Sequence, residues 1–331
     1  MKALITGGAG FLGLAIARRL RDRGDEVRSF SRGTHPALSG HGIESLRGDV
    51  KDAAAVARAA EGCDVVFHVA ARVGGWGPRE AFVRTNVDGT RNVIEACRAQ
   101  GVTRLVFTST PSVVHGGGDI EGGDEDLPYP SRFEAAYPET KARAEALVLA
   151  ATGDGLATVA LRPHLVWGPG DRQLLPRLLA RARSGKLHQV GRGENLVDAT
   201  YIDNAAEAHL NACDRLKPEA ACAGRAYFIA NDEPRPAREL IEGLLAAARL
   251  SPPRSQVSPR LAWVAGAAAE LAYTLLRRTD EPPITRFAAR QLSTAHWFDL
   301  TAARRDLGYV PHVSTDEGLE RLRRHLASTY G

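Results

Sequence analysis

The sequence predicts an α/β protein whose core is a doubly wound parallel sheet and whose C-terminal part forms a smaller substrate-binding domain. Short apolar segments alternate with segments of helical periodicity through residues 1–165, and the alternation becomes looser afterwards. The chain of 331 residues is long enough for one large domain or two closely packed ones. We therefore expect one domain over 1–165, with returns to its sheet near 196–202 and 225–230, and a mainly substrate-binding domain over 166–331.

A glycine-rich turn follows the first apolar segment. Residues 2–6 read as a buried parallel strand, glycines stand at 7, 10 and 13, and residues 14–20 have helical periodicity. The first glycine permits a tight turn, the second lets backbone amides approach a pyrophosphate, and the third allows close contact between helix and strand. This order predicts a Rossmann-type dinucleotide-binding domain over 1–165. The residues expected at the pyrophosphate are Gly7, Gly10, Phe11, Leu12 and Gly13.

The end of the second strand indicates which dinucleotide binds. An NAD site presents an acidic residue here to the ribose hydroxyls, whereas this chain presents Ser31 and Arg32. A guanidinium suits the 2′-phosphate of NADP(H). The sequence therefore favours NADP(H). The alternative is that Arg32 is an ordinary surface charge.

The third and fourth strands supply further cofactor contacts. Asp49 and Val50 end the third strand, where the carboxylate would accept a hydrogen bond from adenine or would cap the helix that starts near residue 53. The fourth strand ends in Ala70 and Ala71, whose small side chains leave room for a cofactor lying across the sheet. His68 within this strand is expected to be a satisfied core residue.

The fifth strand and the helix after it carry the candidate catalytic residues. The strand ends in hydroxyls that would polarise a substrate carbonyl, with Thr110 the first choice and Ser112 the second. Tyr137 and Lys141 stand four residues apart and so share one face of a helix. An ammonium beside a phenol favours phenolate, so we expect Lys141 to lower the pKa of Tyr137. The result would be a proton donor and acceptor usable near neutral pH.

These motifs together resemble the extended short-chain dehydrogenases/reductases, in particular their 3β-hydroxysteroid dehydrogenase-like branch. The resemblance implies that Tyr137 protonates the substrate oxygen, that Lys141 holds the nicotinamide ribose, and that Pro163 and Val166 line the nicotinamide. It also implies a homodimer formed through long helices near 80–99 and 134–149. Two departures are a Thr at 110 where the family usually has its catalytic Ser, and Pro138 directly after the tyrosine. The matching segments are 6–13, 49–50, 86–90, 108–112, 137–141, 161–170 and 195–206.

Within that branch, residues 108–113 and 167–171 are most similar to bacterial reductases of 2-alkyl-3-keto acids in long-chain olefin biosynthesis. The resemblance implies NADPH-dependent reduction of a lipid-like keto acid to the 3-hydroxy acid, with other enzymes of that pathway as partners. Steroid dehydrogenase and sugar-nucleotide epimerase or dehydratase activities remain alternatives with the same first half. A non-catalytic NADP-sensing protein is the alternative from another class, although such proteins commonly lack the Tyr/Lys pair.

Charge and cysteine usage narrow the remaining possibilities. The net charge of +4 comes from scattered arginines, with no basic run that would indicate nucleic acid. The four cysteines form no CxxC pair and no metal-ligand spacing, so we expect reduced thiols and no metal site. The first strand begins at the second residue, which leaves no room for a signal peptide and favours a cytoplasmic protein.

The most apolar segment covers residues 261–276. It is shorter than the roughly 20 residues that span a bilayer, and Glu270 interrupts it. We therefore expect no transmembrane span. A helix that is buried or faces a partner is one interpretation, and a lid over a lipid-like substrate with peripheral membrane contact is the other.

Overall fold

The computed structural model describes residues 1–278 and 280–330. These residues contain fifteen strands and eleven α-helices. The strands are β1 (Lys2–Thr6), β2 (Glu26–Ser31), β3 (Glu44–Arg47), β4 (Val65–His68), β5 (Arg104–Thr108), β6 (Ile120–Gly123), β7 (Ala157–Pro163), β8 (Val166–Trp167), β9 (Gln189–Val190), β10 (Leu196–Val197), β11 (Thr200–Tyr201), β12 (Arg225–Ile229), β13 (Arg235–Pro236), β14 (Gln256–Val257) and β15 (His296–Phe298). The helices are α1 (Phe11–Asp22), α2 (Ala53–Ala60), α3 (Arg79–Phe82), α4 (Gly89–Ala99), α5 (Ala136–Ala150), α6 (Leu174–Arg183), α7 (Ile202–Arg215), α8 (Ala237–Ala247), α9 (Pro259–Leu275), α10 (Arg286–Ser293) and α11 (Thr315–Tyr330).

Seven parallel strands form the central sheet in the order β12-β7-β5-β4-β1-β2-β3. The strand order reverses at β1, which pairs with β2 on one side and β4 on the other. Ligands of open α/β sheets bind in the crevice beyond the carboxyl ends of the strands at such a reversal. The predicted α/β class with a Rossmann-type sheet is confirmed.

Helices cover both faces of this sheet. Leu4 packs into a core with α2, α4 and α5, whereas its neighbour Ile5 packs into a core with α1 and α7. Because adjacent strand residues point to opposite faces and both faces are covered, the central strands are apolar throughout rather than alternating.

Residues 225–229 lie in the central sheet, since β12 pairs along its whole length with β7. The predicted return near 196–202 is wrong. β10 belongs to a second sheet of order β13-β10-β15-β6, and β11 pairs with β8. The reason is that β12 already occupies the edge of β7 that this segment would need. The domain boundary at residue 165 stays a prediction.

The start of α2 corrects a second expectation. Its N-cap is Asp52, whose carboxylate accepts a hydrogen bond from Ala55 N at 3.0 Å. Asp49 instead accepts from Lys51 N and forms an ion pair with the Lys51 ammonium at 3.2 Å. The capping role considered for Asp49 is therefore wrong.

Over residues 1–278 and 280–330, no helix has both the length and the apolar character that crossing a bilayer requires. All four cysteines are buried and free.

Candidate active site

The glycine turn forms an anion-binding cradle at the carboxyl end of β1. Gly7 has a φ of +72°, and a Cβ there would lie 3.0 Å from Ala70 Cα. A Cβ on Gly13 would overlap the Gly7 carbonyl oxygen. Gly10 is the N-cap of α1 without a side-chain cap, and the first turn contains no acidic residue. The amides of the first helical turn are therefore available to a pyrophosphate, and the residues present fit a dinucleotide.

The edge of the sheet at β2 and β3 carries the residues predicted at the adenosine. Ser31 Oγ is buried and has no hydrogen-bond partner among the described residues, whereas the neighbouring Arg32 is exposed. Strand register sets Ser31 opposite Arg47 of β3, so a second arginine lies on this edge. Val50 is buried against the start of α4, where a Cβ on Gly89 would lie 2.8 Å from Val50 Cγ2.

The segment after β4 is held by hydrogen bonds rather than by packing of large side chains. Ala70 N donates to Thr6 Oγ1 at 3.2 Å, and Ala71 is half-buried. Asn86, in a π-helical turn between α3 and α4, accepts from Arg72 N at 2.7 Å and donates to Thr140 Oγ1 at 3.0 Å. Asn86 therefore ties this segment to α5. A π-helical turn inside a longer helix is a common feature of functional sites.

His68 is the satisfied core residue that the sequence predicts. Its ring nitrogens lie 2.7 Å from Thr6 Oγ1 and 2.9 Å from Thr90 Oγ1. Burial lowers the pKa of His68 to about 3, so the ring is neutral.

Tyr137 lies in the first turn of α5, which begins at Ala136. Pro138 is tolerated at this position because early helical residues do not need their N–H groups. Burial raises the pKa of the Tyr137 phenol to about 12, and a hydrogen bond with the Thr110 hydroxyl lowers it. The expected fall in the pKa of Tyr137 is therefore wrong, because desolvation of the buried phenol is the largest cause of the shift and raises the pKa. The phenol keeps its proton at neutral pH.

Thr110, the first choice for the hydroxyl that orients the carbonyl, lies two residues after the end of β5. It caps the short 3₁₀ turn Pro111–Val113, and its Oγ1 accepts from Ser112 N at 3.3 Å. Thr110 Oγ1 also donates to Ser112 Oγ at 3.3 Å. Both predicted hydroxyls thus lie together, and the one in contact with Tyr137 is Thr110.

Lys141 is 2 % exposed, one helical turn beyond Tyr137. Its ammonium donates to the Thr108 carbonyl at 2.6 Å and lies 3.9 Å from the centre of the Phe107 ring. Burial lowers the pKa of Lys141 to about 7, and the nearby Glu145 carboxylate raises it. Lys141 therefore gains or loses its proton near neutral pH.

A buried ion pair lies behind Lys141. The Glu145 carboxylate accepts hydrogen bonds from the Arg162 guanidinium, the shortest at 2.7 Å, and from the Tyr129 hydroxyl at 2.7 Å. Glu145 is fully buried and Arg162 is 4 % exposed. Sequence reasoning missed this pair. The available signal was Glu145 four residues after Lys141, but only the fold brings Arg162 of β7 to it.

Three buried histidines form a second feature that sequence reasoning missed. The Nε2 atoms of His115 and His296 are 2.9 Å apart, so one donates to the other. His164 Nδ1 donates to the Asp198 carbonyl at 2.6 Å, and its ring packs edge-on against that of His296. Burial lowers the pKa of His164 to about 4 and that of His296 to about 2, so both rings are neutral at pH 7.

The histidine cluster connects the second sheet to the predicted nicotinamide contacts, because His164 directly follows Pro163 at the end of β7. Val166 lies two residues further on, in β8. Over the described residues, no group of three or more His, Cys, Asp or Glu side chains is arranged to hold a metal ion.

Two clefts open beside these residues. The smaller, about 170 Å³, is lined by Trp76, Phe82, Glu134, Ala136 and Arg286, and so reaches the residue before Tyr137. The larger, about 410 Å³, lies between α9 and α10 and is lined by Arg260, Trp263, Val264 and Arg290. Arg290 connects the two, since its Nε lies 3.3 Å from Glu134 Oε1.

Comparison with known proteins identifies the family. The chain matches the 3-beta hydroxysteroid dehydrogenase/isomerase family over residues 4–256. It belongs to this family. It is 53 % identical to the 2-alkyl-3-oxoalkanoate reductase of Stenotrophomonas maltophilia, over 98 % of each chain. It is 46 % identical to the protein of the same name from Shewanella oneidensis, over 98 % of this chain and 86 % of that one.

Solved structures support the same architecture. The UDP-glucuronic acid 4-epimerase of Bacillus cereus in complex with NAD matches over 100 % of both chains, with a TM-score of 0.75 and 24 % identity. At that identity the likeness shows the fold alone. Membership of this family and the likeness to the two named reductases make the chain an oxidoreductase that uses a nicotinamide cofactor.

The position of Glu145 predicts an effect on the pH profile. In Glu145→Gln, the carboxylate that raises the pKa of Lys141 is lost, so Lys141 should lose its proton at lower pH. If the Lys141 ammonium is required, the alkaline fall in turnover should move down by on the order of one pH unit. Steady-state rates across pH measure this.

The matched control is Tyr129→Phe, which removes one hydrogen bond to Glu145 but keeps its charge. Its pH profile should coincide with that of the unmodified enzyme. Circular dichroism of both variants should confirm that they fold. The check matters most for Glu145→Gln, because leaving the buried Arg162 charge unpaired costs about 3–5 kcal/mol of stability. Equal shifts in the two variants would rule out the charge effect.

Proposed function

We propose that this enzyme uses NADPH to reduce the 3-keto group of a long-chain 2-alkyl-3-oxoalkanoate to the 3-hydroxy acid, in the biosynthesis of long-chain olefins. The observation that carries the proposal is the protonated Tyr137 with the Thr110 hydroxyl beside it. It occurs in a chain about half identical, nearly end to end, to two bacterial proteins named for this reaction.

Side chains of this chain would supply the proton that the carbonyl oxygen takes up. NADPH, when bound, supplies the hydride to the carbonyl carbon. Tyr137 would give its proton to the carbonyl oxygen, and its raised pKa keeps it protonated until substrate arrives. Thr110 would orient the carbonyl by hydrogen bonding, with Ser112 behind it. Lys141, where charged, would stabilise the tyrosinate that remains.

The cofactor residues divide by the part of NADPH they would hold. The glycine turn supplies amides for the pyrophosphate, and Ser31 and Arg32 offer an unpaired hydroxyl and a guanidinium to the 2′-phosphate. The remaining expected contacts are Asp49, Val50, Ala70, Ala71, Lys141, Pro163 and Val166.

Arg290 is the arginine best placed to meet the substrate carboxylate. It lines the larger cleft and is half-exposed, its ion pair is a 3.3 Å contact with Glu134 near the catalytic helix, and its guanidinium lies over the Trp263 ring. By contrast, Arg286 is held by Glu270 through both its side chain and its backbone amide. A carboxylate arriving at Arg290 would therefore displace one long ion pair.

A 3β-hydroxysteroid is the second candidate substrate, because the chain belongs to the steroid dehydrogenase family. The same Tyr137, Lys141 and Thr110 would serve that reaction. The epimerase likeness concerns the fold. We also propose a homodimer paired through α3, α4 and α5, action in the cytoplasm, contact with other enzymes of the olefin pathway, and a substrate-binding role for most of residues 166–331.

Tyr137→Phe should abolish turnover while NADPH still binds, because only the proton-transfer oxygen is lost. The expected fall in kcat is 10²–10⁴-fold. Steady-state rates and NADPH fluorescence titration measure the two effects separately. Tyr273→Phe, a change of the same chemistry outside the site, should keep full activity. More than a few per cent of activity in Tyr137→Phe would remove the proposed role.

The unmodified enzyme should prefer NADPH to NADH, and Arg32→Ala should narrow that preference. The reason is that the Arg32 guanidinium, beside the unpaired Ser31 hydroxyl, would form charge-assisted hydrogen bonds with a 2′-phosphate. Ratios of kcat/KM for the two cofactors measure this. Arg58→Ala, an exposed arginine on α2, is the control and should leave the ratio unchanged. Equal efficiency with both cofactors in the unmodified enzyme would refute NADPH specificity.

Efficiency should rise with the alkyl length of the keto acid, because each buried CH₂ contributes about 0.8 kcal/mol. Arg290→Ala should raise KM for the keto acid but not for the ketone of equal chain length that lacks the carboxylate. Assays with keto acids of increasing length, the ketone and a 3-ketosteroid test these points. Faster turnover of the steroid, or no dependence on chain length, would reject the olefin-pathway substrate.

A further inference from the structure

Helix α9 exposes its large aliphatic side chains instead of burying them. Leu261, Val264, Leu271 and Leu275 are between 56 % and 74 % exposed. At about 100° per residue they lie within about 80° of one another around the helix. We call these four residues the α9 apolar face. A contiguous exposed patch of this kind marks an interaction site.

The fully buried positions of α9 are small residues, and the larger Trp263 and Tyr273 are only partly buried. Ala262 and Gly266 are its buried positions, and a Cβ on Gly266 would lie 2.7 Å from the Thr285 carbonyl carbon at the start of α10. An ordinary surface helix directs its large apolar residues inward and its polar residues outward. The large aliphatic residues of α9 face outward, so folding of the chain does not account for its leucines.

Charge indicates what covers the α9 apolar face. Exposed arginines stand at both ends of the helix, Arg260 at the first turn and Arg277 just past the last. The single acidic residue of α9, Glu270, turns inward, where Arg286 Nε lies 2.7 Å from its carboxylate. The partner surface must therefore be apolar at its centre and anionic around it.

An anionic lipid bilayer meets both requirements, since an interfacial helix buries an apolar face among acyl chains while arginines bind headgroups. A second copy of the chain meets them poorly. In a two-fold pairing of this helix, the arginine at each end would face an arginine of the other copy. The charges therefore favour the bilayer over a homodimer contact.

The larger cleft opens on this same helix. Val264 belongs both to the α9 apolar face and to the cleft wall, and Arg290 on the opposite wall contacts Glu134 beside the catalytic helix. A lipid leaving a bilayer at α9 would thus enter a cleft whose wall residue Arg290 contacts Glu134, three residues before Tyr137.

We propose that the α9 apolar face docks reversibly on an anionic bilayer and takes its lipid-like substrate from there. The docking surface is argued from α9 itself, whereas the delivery of substrate rests on the proposed function. Two long alkyl chains would hold such a keto acid in the membrane, so capture at the bilayer surface would avoid transfer through water.

Co-sedimentation with vesicles tests the docking. The full-length protein should bind vesicles of phosphatidylcholine mixed with phosphatidylglycerol and should bind phosphatidylcholine alone more weakly. Leu271→Ser and Leu275→Ser should each weaken binding roughly tenfold. Arg277→Glu should remove the preference for phosphatidylglycerol. Val310→Ser, an exposed valine away from α9, is the control and should bind as the unmodified protein does.

Three results would overturn the docking proposal. They are no binding to anionic vesicles, equal weakening by Val310→Ser, and a Leu275→Ser variant whose light-scattering mass falls to that of a smaller oligomer. The last would assign the α9 apolar face to a second copy of the chain.

A short, water-soluble keto acid assayed without vesicles separates this proposal from the proposed function. The leucine variants should reduce it at the unmodified rate. Reduction without vesicle binding would reject docking and leave the reductase assignment standing. Vesicle binding without keto-acid reduction would reject the reductase assignment and the delivery of substrate, and would leave the docking surface.

Discussion

The burial of Lys141 in the protein interior constrains the arrangement of the whole candidate active site. The Lys141 ammonium is almost fully buried, and desolvation alone pulls its pKa far down. Its charge is supported by the Thr108 carbonyl, the Phe107 ring and the Glu145 carboxylate. Glu145 must in turn be neutralised, and Arg162 of β7 does so at 2.7 Å. Helix α5, which carries Tyr137, is thereby fixed to the central sheet through a series of buried charges.

Burial also determines the protonation state of Tyr137. A lysine on the same helix face suggests an easily ionised phenol, yet the phenol of Tyr137 is harder to ionise than a free tyrosine. Burial acts on both side chains and favours the neutral form of each. The pair therefore rests with a protonated phenol, which suits a step in which a carbonyl oxygen takes up a proton. The nearby Glu145 carboxylate raises the pKa of Lys141 and so favours its charged form.

Two regions of the molecule depart from ordinary soluble-protein patterns, and helix α10 contacts both of them. The histidine cluster places neutral polar rings in the interior beside Pro163, where an apolar core would be expected. Helix α9 places leucines on the surface, where polar residues would be expected. Arg290 of α10 lines the larger cleft, and the next residue, Gln291, lies 3.3 Å from His115 Nδ1. Departures from consistent patterning are expected at functional sites, since function there competes with stability.

The sequence by itself determined the Rossmann sheet, the glycine turn and the positions of Tyr137 and Lys141, because those features depend on local periodicity and on fixed spacing along the chain. It also identified His68 as a core residue and α9 as the most apolar helix. Tertiary structure alone decided that residues 196–202 leave the central sheet, because β12 takes the edge of β7. Tertiary structure also placed Arg162 against Glu145 and His115 against His296, 17 and 181 residues apart. Burial is the largest cause of the pKa shifts of Tyr137, Lys141 and His68, and it depends on the packing of distant segments, which no local pattern reports.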